Sequence, residues 1–270
     1  MASAQVVIHS DSGTASTFYA KAAGIIESIA PGTDAVDASQ GFYKGDVAAV
    51  AAYLYTTVPF WPEGTVFLSF VGQGRAVAVR LKGGSVIISP DNGAATMCID
   101  LMGFDSARLI DTERFGSDGW ESARCAATLA SGTLFTDIGE EIGLDEVVLL
   151  RKQESRIEDG LAEGEVSMLL RNFGNITFSI GTDEFEKTGI ATGDEVEVTF
   201  QRNGEVQYRG VMTYQPSFGY VPEGAPVIFN GSSGYMDIGL NMRSFIEECI
   251  PQILDADDPS EFKVRIEKRR

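Results

Sequence analysis

The chain has 270 residues, with 39 acidic and 21 basic side chains and a formal net charge of −18. Nucleic acids and anionic membrane surfaces are bound through basic patches, so this charge argues against both as partners. No apolar run approaches the roughly 18 residues that a membrane-spanning helix needs, and we expect no membrane span.

The cysteines Cys98, Cys125 and Cys249 are odd in number and far apart in the sequence. Residues 1–8 lack the basic start and the long apolar core of a signal peptide. Reduced thiols without a leader are typical of a cytoplasmic protein, and we expect that location.

Strands and helices alternate at the start of the chain. Residues 5–8 form a short apolar strand, and residues 18–29 place apolar side chains at helical spacing until Pro31 ends the helix. Residues 33–38 are a second strand, and Asp46 begins a second helix with an apolar stripe. This alternation predicts an α/β sheet with helices packed on it.

Three apolar segments, residues 65–71, 75–81 and 85–89, are separated by short glycine-rich loops and predict three strands. The last strand runs into residues 90–93, the turn sequence Pro-Asp-Asn-Gly. Buried strands that end in small polar residues are where α/β proteins bind ligands. The same stretch is also explained by two ordinary hairpins at a sheet edge, and the sequence leaves both interpretations open.

The first domain continues with a helix at residues 94–102, a strand at 108–111 and a small-residue helix at 121–131. Residues 146–150 close it. We predict an α/β N-terminal domain, a central sheet flanked by helices, over residues 1–152.

Residues 153–164 are highly charged and have no apolar period, and we interpret them as a linker. Residues 165–270 follow as a small all-β barrel or sandwich, in which only residues 241–253 have a helical pattern. Asn203-Gly204 predicts a tight hairpin. The predicted strands are residues 165–170, 176–180, 195–201, 205–214, 226–230 and 262–267.

The common sets of catalytic residues are absent from the sequence. His9 is the only histidine, and its position at the end of the first strand indicates a structural role. No cluster of His and Cys has metal-ligand spacing, and no phosphate-binding glycine motif is present, so we expect no metal site.

Asp11 lies directly after the first strand. A carboxylate there can accept hydrogen bonds from two neighbouring ribose hydroxyls, because it has two acceptor oxygens. An Asx-turn to the backbone ahead of Gly13 explains the same residue equally well.

Two loops of the second domain have side chains suited to a ligand. Phe173 has a flat face for stacking, the Asn175 amide both donates and accepts, and Gly174 lets the backbone approach closely. Ser232 and Ser233 lie in a loop rich in N–H groups and hydroxyls that can hold a carboxylate. Taken singly, the first loop is also explained as a hairpin with a buried Phe, and the second as a turn.

Taken together and in this order, the segments resemble the S-adenosylmethionine (SAM) hydroxide adenosyltransferases, or SAM hydrolases, and their relatives the fluorinase and chlorinase. The resemblance runs nearly end to end. The segments that carry it are residues 10–14, 35–40, 62–67, 75–79, 90–93, 173–175, 184–189 and, more loosely, 230–235.

The resemblance implies an α/β domain followed by a β-barrel, and a homotrimer whose substrate lies between the first domain of one subunit and the barrel of the next. The reaction it implies is attack of water, hydroxide or halide on C5′ of the SAM ribose, with methionine leaving. SAM is the substrate, and we expect no cofactor. Since a sulfonium is already a good leaving group, the protein need only align and desolvate the nucleophile.

The resemblance also implies roles for individual residues. Asp11 would hold the ribose, and Phe173 with Asn175 the adenine. Arg75, helped by Gln73 or Ser69, would steer the nucleophile.

The chain departs from the family at several positions. The loop at residues 70–74 is short and lacks the family's Asp, and residues 113–127 lack its His. Other positions also differ, namely Gln40 in place of a His, Gly45 in place of a Trp, Leu170 in place of an Asp and Ser233 in place of an Arg. The main hypothesis is an adenosine-forming SAM hydrolase. The alternatives are a module that binds SAM or an adenosine-like nucleoside without turnover, and a halide-using 5′-halo-adenosine synthase.

Overall fold

The computed structural model describes residues 5–256 and 258–269. Residues 1–4, on which the prediction about a signal peptide partly rests, lie outside the described residues. The chain divides into two compact units between Leu150 and Arg151. No helix in the described part of the chain is long and apolar enough to cross a membrane.

The first unit alternates strands and helices, as predicted. Its strands and helices are β1 (Gln5–Ser10), α1 (Phe18–Ile29), β2 (Asp34–Ser39), α2 (Val47–Thr57), β3 (Val66–Phe70), β4 (Ala76–Leu81), β5 (Val86–Pro90), α3 (Thr96–Met102), β6 (Phe104–Ile110), α4 (Thr112–Phe115), α5 (Glu121–Ala130) and β7 (Gly139–Ile142).

These strands form one sheet in the order β2-β1-β3-β5-β4-β6-β7. β3 pairs in parallel with both β1 and β5, whereas β4 is antiparallel to β5 and β6. The two-hairpin interpretation is therefore wrong for β3 and β4, and correct for β4 and β5. The almost unbroken apolar run of β3 fits a parallel strand that is covered on both faces.

Alternate residues of β1 serve two separate cores. Val6 and Ile8 pack with α1 and α5 on one face, and Val7 packs with α2 and α3 on the other. The sheet is therefore flanked by helices on both faces, as the sequence predicts. Residues 146–150, expected to close the domain, are the last residues of the first unit. Glu146 ends the turn Leu144–Glu146, and residues 147–150 form no strand.

The second unit is a closed barrel of seven strands, in which β10, β14, β13, β12, β11, β15 and β9 follow one another and β9 pairs again with β10. Its elements are β8 (Arg156–Glu158), β9 (Leu161–Leu170), β10 (Asn175–Gly181), α6 (Thr182–Phe185), β11 (Glu195–Arg202), β12 (Glu205–Gln215), β13 (Pro226–Asn230), β14 (Tyr235–Leu240), α7 (Phe245–Cys249) and β15 (Phe262–Lys268).

Residues 153–164 do not behave as the predicted linker, because β8 and the start of β9 lie within them. Their charged side chains form ion pairs on the barrel surface, where Glu163 contacts both Arg156 and Arg265. Ala162, the residue before Glu163, is buried in the barrel core. The charges that suggested a linker are the outward-facing half of a strand pattern.

The end of the barrel also differs from the prediction. Strand β14 was not predicted, and helix is confined to Phe245–Cys249 within the expected residues 241–253. Met242 has a positive φ of 60°, which no helix accommodates, and Pro251 begins a separate 3₁₀ turn.

Candidate functional site

The carboxyl ends of the parallel strands β1, β3 and β5 lie side by side in the sheet. The loops that follow them carry Asp11, Gly72 and Asn92. Ligands of open α/β sheets bind at this edge, because the loops there converge and no strand continues past them.

Asp11 connects two of these loops. Its Oδ2 accepts hydrogen bonds from the backbone N–H of Gly45 at 2.7 Å and of Gly72 at 3.1 Å. The N–H of Gly13 donates to the carbonyl of Gln40 instead, so the predicted Asx-turn is not formed. Within the described residues only one carboxylate oxygen of Asp11 accepts hydrogen bonds from the protein.

A side-chain network fixes the backbone on either side of Asp11. Ser10 Oγ donates to Gln40 Oε1, and Gln40 Nε2 donates to Asp37 Oδ1 at 2.9 Å. Ser10 Oγ also lies 2.7 Å from Ser12 Oγ. Gln40 was noted in the sequence only as a departure from the family. Its amide both accepts and donates, which is what this buried position requires.

Gly72 is required by its surroundings. Its φ is +75°, and a Cβ there would lie 2.8 Å from Asn92 Nδ2 and 3.3 Å from Val47 Cγ2. Asn92 Nδ2 in turn donates to the carbonyl of Val71 at 3.0 Å. The loop after β3 is thus held between the turn after β5 and the start of α2, with its N–H directed at Asp11.

Arg75 is half-exposed, and its guanidinium already has partners. Nε donates to Asp91 Oδ2 at 2.9 Å, and a terminal nitrogen donates to the carbonyl of Glu146 at 2.6 Å. The Asp91 side chain is 2% exposed, and its other oxygen accepts from the N–H of Val148 at 2.8 Å. Arg75 therefore ties residues 146–148 to the turn after β5, and its role in catalysis stays a prediction.

The predicted helpers of Arg75 differ in exposure. Gln73 is exposed, whereas Ser69 is fully buried and its Oγ has no hydrogen-bond partner in the described residues. His9 is also fully buried, with its ring 5.5 Å from that of Tyr53. Burial lowers the pKa of His9 to about 3, so the imidazole is neutral at physiological pH.

In the barrel, Phe173 and Asn175 flank a tight turn in which Gly174 has a φ of +67°. The turn is as compact as a hairpin, but Phe173 is 69% exposed, so the interpretation as a buried Phe is wrong. Asn175 is buried beside Gly239, where a Cβ would lie only 2.2 Å from its Oδ1. The arrangement presents an exposed aromatic face next to a buried amide.

Ser232 and Ser233 lie in the loop before β14, with Ser232 exposed. β10 and β14 are antiparallel, and Gly181 at the end of β10 pairs with Tyr235 at the start of β14. Asn175 begins β10, so it and the two serines are at opposite ends of this strand pair. The structure does not bring these barrel residues together around one point.

Asp237 on β14 was missed by the sequence analysis. It is 4% exposed, accepts a hydrogen bond from Thr177 Oγ1 at 2.7 Å, and packs against Gly231 of the serine loop. Burial raises the pKa of this carboxyl to about 6. The only signal in the sequence is an acidic residue within an apolar run.

Exposed aromatic side chains were missed as well. Phe218 and Tyr220 are 39% and 69% exposed, in the connection between β12 and β13. The Gly224 N–H of this connection bonds the carbonyl of Asn241, which directly follows β14. Tyr220 precedes Val221, whose carbonyl accepts from Asn241 Nδ2 at 2.7 Å, so it lies toward the Phe173 end of the barrel. The Phe218 ring lies 5.7 Å from that of Phe229, toward the other end of β13. Among the described residues, no group of three or more His, Cys, Asp or Glu could hold a metal ion.

Sequence models of the SAM hydroxide adenosyltransferase N-terminal and C-terminal domains match residues 6–140 and 168–250. The chain is 27% identical to a fluorinase of Actinoplanes sp. over 87% of its length and 90% of the relative. It is 28% identical to an (R)-S-adenosyl-L-methionine hydrolase of Thermus thermophilus over 87% of its length and 91% of the relative.

A solved structure of a conserved protein from Thermotoga maritima has the same fold. It superposes with a TM-score of 0.79 over 97% of this chain and 99% of that one, at 21% sequence identity. The two domain models match in chain order and together cover most of the chain: the first falls in the α/β unit and the second in the barrel. The chain belongs to the SAM hydroxide adenosyltransferase family.

Proposed function

We propose that this enzyme is a SAM hydrolase that converts SAM and water to adenosine and L-methionine. Asp11 carries the proposal: one carboxylate oxygen is fixed by the N–H groups of Gly45 and Gly72, which leaves the other for ribose hydroxyls. The relatives named SAM hydrolase support the same reaction.

In the proposed reaction, a water oxygen attacks C5′ while the C5′–S bond breaks and its electron pair goes to sulfur. One water proton passes to solvent, and no cofactor or metal is required. Phe173 and Asn175 would hold the adenine, and Ser232 and Ser233 the methionine carboxylate. Arg75 would orient the attacking water, since a guanidinium donates hydrogen bonds without titrating.

Substitution of Arg75 tests whether it orients the attacking water or only holds residues 146–148 through its hydrogen bonds to Asp91 and Glu146. We expect Arg75→Ala to lower kcat by about tenfold or more with little change in SAM affinity, as for an interaction made mainly in the transition state. Turnover and SAM binding would be measured on the same preparation. Asp91→Asn is the control, because it breaks the same ion pair and leaves the guanidinium in place. Equal turnover by wild type and Arg75→Ala would contradict the catalytic role.

We propose that the protein is a cytoplasmic homotrimer with its sites shared between subunits. The candidate ligand residues fall in two separate units, and the three cysteines are free thiols. Light scattering at micromolar concentration tests the assembly, and a stable monomer would contradict it.

A module that binds SAM without turnover is the second candidate. The hydrogen bonds of Arg75 to Asp91 and to the Glu146 carbonyl favour it, because they engage the guanidinium away from a substrate. A halide-using 5′-halo-adenosine synthase is a third candidate, favoured by the relatives named fluorinase.

One experiment distinguishes the three candidates. Purified protein is incubated with SAM, with and without chloride, and the products are separated by chromatography. Adenosine and methionine support the hydrolase, and 5′-chloro-5′-deoxyadenosine supports the halide enzyme. SAM that is bound but unchanged supports the binding module.

A further inference from the structure

His9 and Ser69 lie side by side within the sheet of the first unit. His9, near the end of β1, is paired in register with Ser69 on β3. Val7, two residues before His9, and Phe67 and Val71, two residues before and after Ser69, belong to the core between the sheet and helices α2 and α3. Because alternate residues of a strand face the same side, both polar side chains point into this core. Neighbouring strands are about 4.8 Å apart, so the two side chains are close neighbours.

Neither side chain has a hydrogen-bond partner in the described residues. Both ring nitrogens of His9 and Oγ of Ser69 are buried and unpaired, and both residues are 0% exposed. The centroid of the His9 ring lies 6.0 Å from that of Phe42 and 5.5 Å from that of Tyr53, whose hydroxyl bonds Thr57 instead. Buried polar atoms in folded proteins are nearly always hydrogen-bonded, because an unpaired one loses its hydration without compensation. Three such atoms on two adjacent side chains indicate a small polar partner in the core.

The chemistry of the two side chains favours a neutral partner that both donates and accepts. Burial keeps the imidazole uncharged, since it lowers the pKa of His9 to about 3. A neutral imidazole has one donor and one acceptor nitrogen, and the hydroxyl of Ser69 can do both. A buried ion would need an opposite charge, which neither residue supplies. Water is neutral, donates and accepts, and joins buried polar groups through about three hydrogen bonds.

We propose that His9 and Ser69 hold an internal water molecule between the ends of β1 and β3, and that this water positions the loops that follow. Asp11 comes two residues after His9, and Gly72 comes three residues after Ser69. The Gly72 N–H donates to Asp11 at 3.1 Å. The water joins the two strands just before these loops, so it acts on the geometry of that hydrogen bond. Its effect on nucleoside binding rests on the proposed function, whereas the water site does not.

The water site can be tested directly, because His9 is the only histidine of the chain. Nitrogen-15 labelling of histidine gives NMR signals from this one ring. We expect a single neutral tautomer near neutral pH, and transfer of magnetisation from a bound water to the ring. A high-resolution crystal structure should show a water oxygen about 2.7–3.2 Å from Ser69 Oγ and from one ring nitrogen. Ser69→Ala removes one partner of the water and should shift the ring nitrogen signals.

Variants test the positioning role. Ser69→Ala should weaken adenosine binding about threefold by calorimetry, because a water-mediated link between the two strands is lost. His9→Phe removes both ring nitrogens and keeps an aromatic ring. If the two residues share one water, the stability losses of the single variants should not add in the double variant, as measured by urea unfolding.

Ser85→Ala is the matched control. It removes a buried hydroxyl just before β5, at the opposite edge of the sheet from Asp11, and should leave both the adenosine affinity and the His9 signals unchanged. Circular dichroism checks that each variant is folded.

Several outcomes would overturn the inference. A direct hydrogen bond between Ser69 Oγ and a ring nitrogen, ring signals that do not change in Ser69→Ala, or additive stability losses would overturn the water site. Equal adenosine affinity of wild type and Ser69→Ala would overturn the positioning role. Wild-type protein that binds no nucleoside would overturn the proposed function, and the NMR signals and the crystal structure would still decide the water site.

Discussion

The edge of the α/β sheet and the loops of the barrel hold their candidate ligand residues in different ways. Asp11 accepts from N–H groups that are 34 and 61 residues away in the chain. In the barrel, the turn before Asn175 is closed by its own backbone, from the Phe173 N–H to the Leu170 carbonyl at 2.9 Å.

The two regions should therefore respond differently to substitution. At the sheet edge, one substitution disturbs several loops at once, because each hydrogen bond joins distant segments. In the barrel turn, Phe173 is exposed and contributes contact area rather than structure. We therefore expect substitutions at the edge to change both stability and binding, and a substitution of the exposed Phe173 to change binding alone.

The largest effect is expected at Gly72. Gly72→Ala forces a side chain into a left-handed backbone and against Asn92, which should lower the free energy of unfolding by about 3 kcal/mol and abolish nucleoside binding. Gly13→Ala is the matched control, because its φ is +86° but no atom lies within 4 Å of an added Cβ. It should lose only about 1 kcal/mol. Urea unfolding gives both values, and equal losses would show that the packing around Gly72 is loose.

Asp237 gives the barrel an effect of similar size that depends on pH. Burial raises the carboxyl pKa from 3.8 to about 6, so the folded state binds this proton more tightly than the unfolded state does. The carboxyl therefore lowers stability as the pH rises from about 4 to 6, by roughly 2–3 kcal/mol in total. Asp237→Asn should be more stable than wild type at pH 7, and this advantage should disappear near pH 4.

Urea unfolding at both pH values measures the effect. The exposed Asp183→Asn variant is the control and should show no such change. A stability difference that is the same at pH 4 and pH 7 would contradict the raised pKa.

Asp11→Asn is expected to weaken nucleoside binding by about 1.5–3 kcal/mol, because it removes a charge-assisted hydrogen bond. Calorimetry with adenosine measures the change. Asp46→Asn is a close control: Asp46 accepts from the Ala49 N–H at the start of α2, and Asn caps a helix equally well. Binding by Asp11→Asn as tight as wild type would show that Asp11 only organises the loops.

The smallest effect is expected at Phe173. Phe173→Ala removes a stacking face and should weaken adenosine binding by about 1 kcal/mol while the free energy of unfolding stays within about 0.5 kcal/mol of wild type. The equally exposed Tyr220→Ala would show whether the neighbouring connection contributes as well. A large loss of stability in Phe173→Ala would show that the barrel turn is structural after all.

Local pattern predicted most of the elements, since helical and strand periods are visible in the side chains themselves. It failed where a strand lacked the usual alternation of apolar and polar side chains. Residues 156–163 are charged because their outer face forms ion pairs, and β14 was hidden by glycines and by Asp237. In both the predicted linker and the missed strand, the side chains did not show a strand pattern.

The candidate site was predicted in part. Asp11 follows directly from the end of β1, and Phe173 from a glycine turn. Gln40 and Gly72 contact the Asp11 loop only through chain segments that are distant in sequence, and no local pattern signals them.

The sequence by itself determined the class of each half, the position of Asp11 after a buried strand and the family resemblance. These depend on side-chain period and on short motifs. Only the tertiary structure decided that β3 lies between β1 and β5, that Arg75 is bound to Asp91, and that one oxygen of Asp11 accepts from the N–H groups of Gly45 and Gly72. The physical reason is that a local sequence specifies what a segment can bury or donate, whereas its partner is chosen by the packing of the whole sheet.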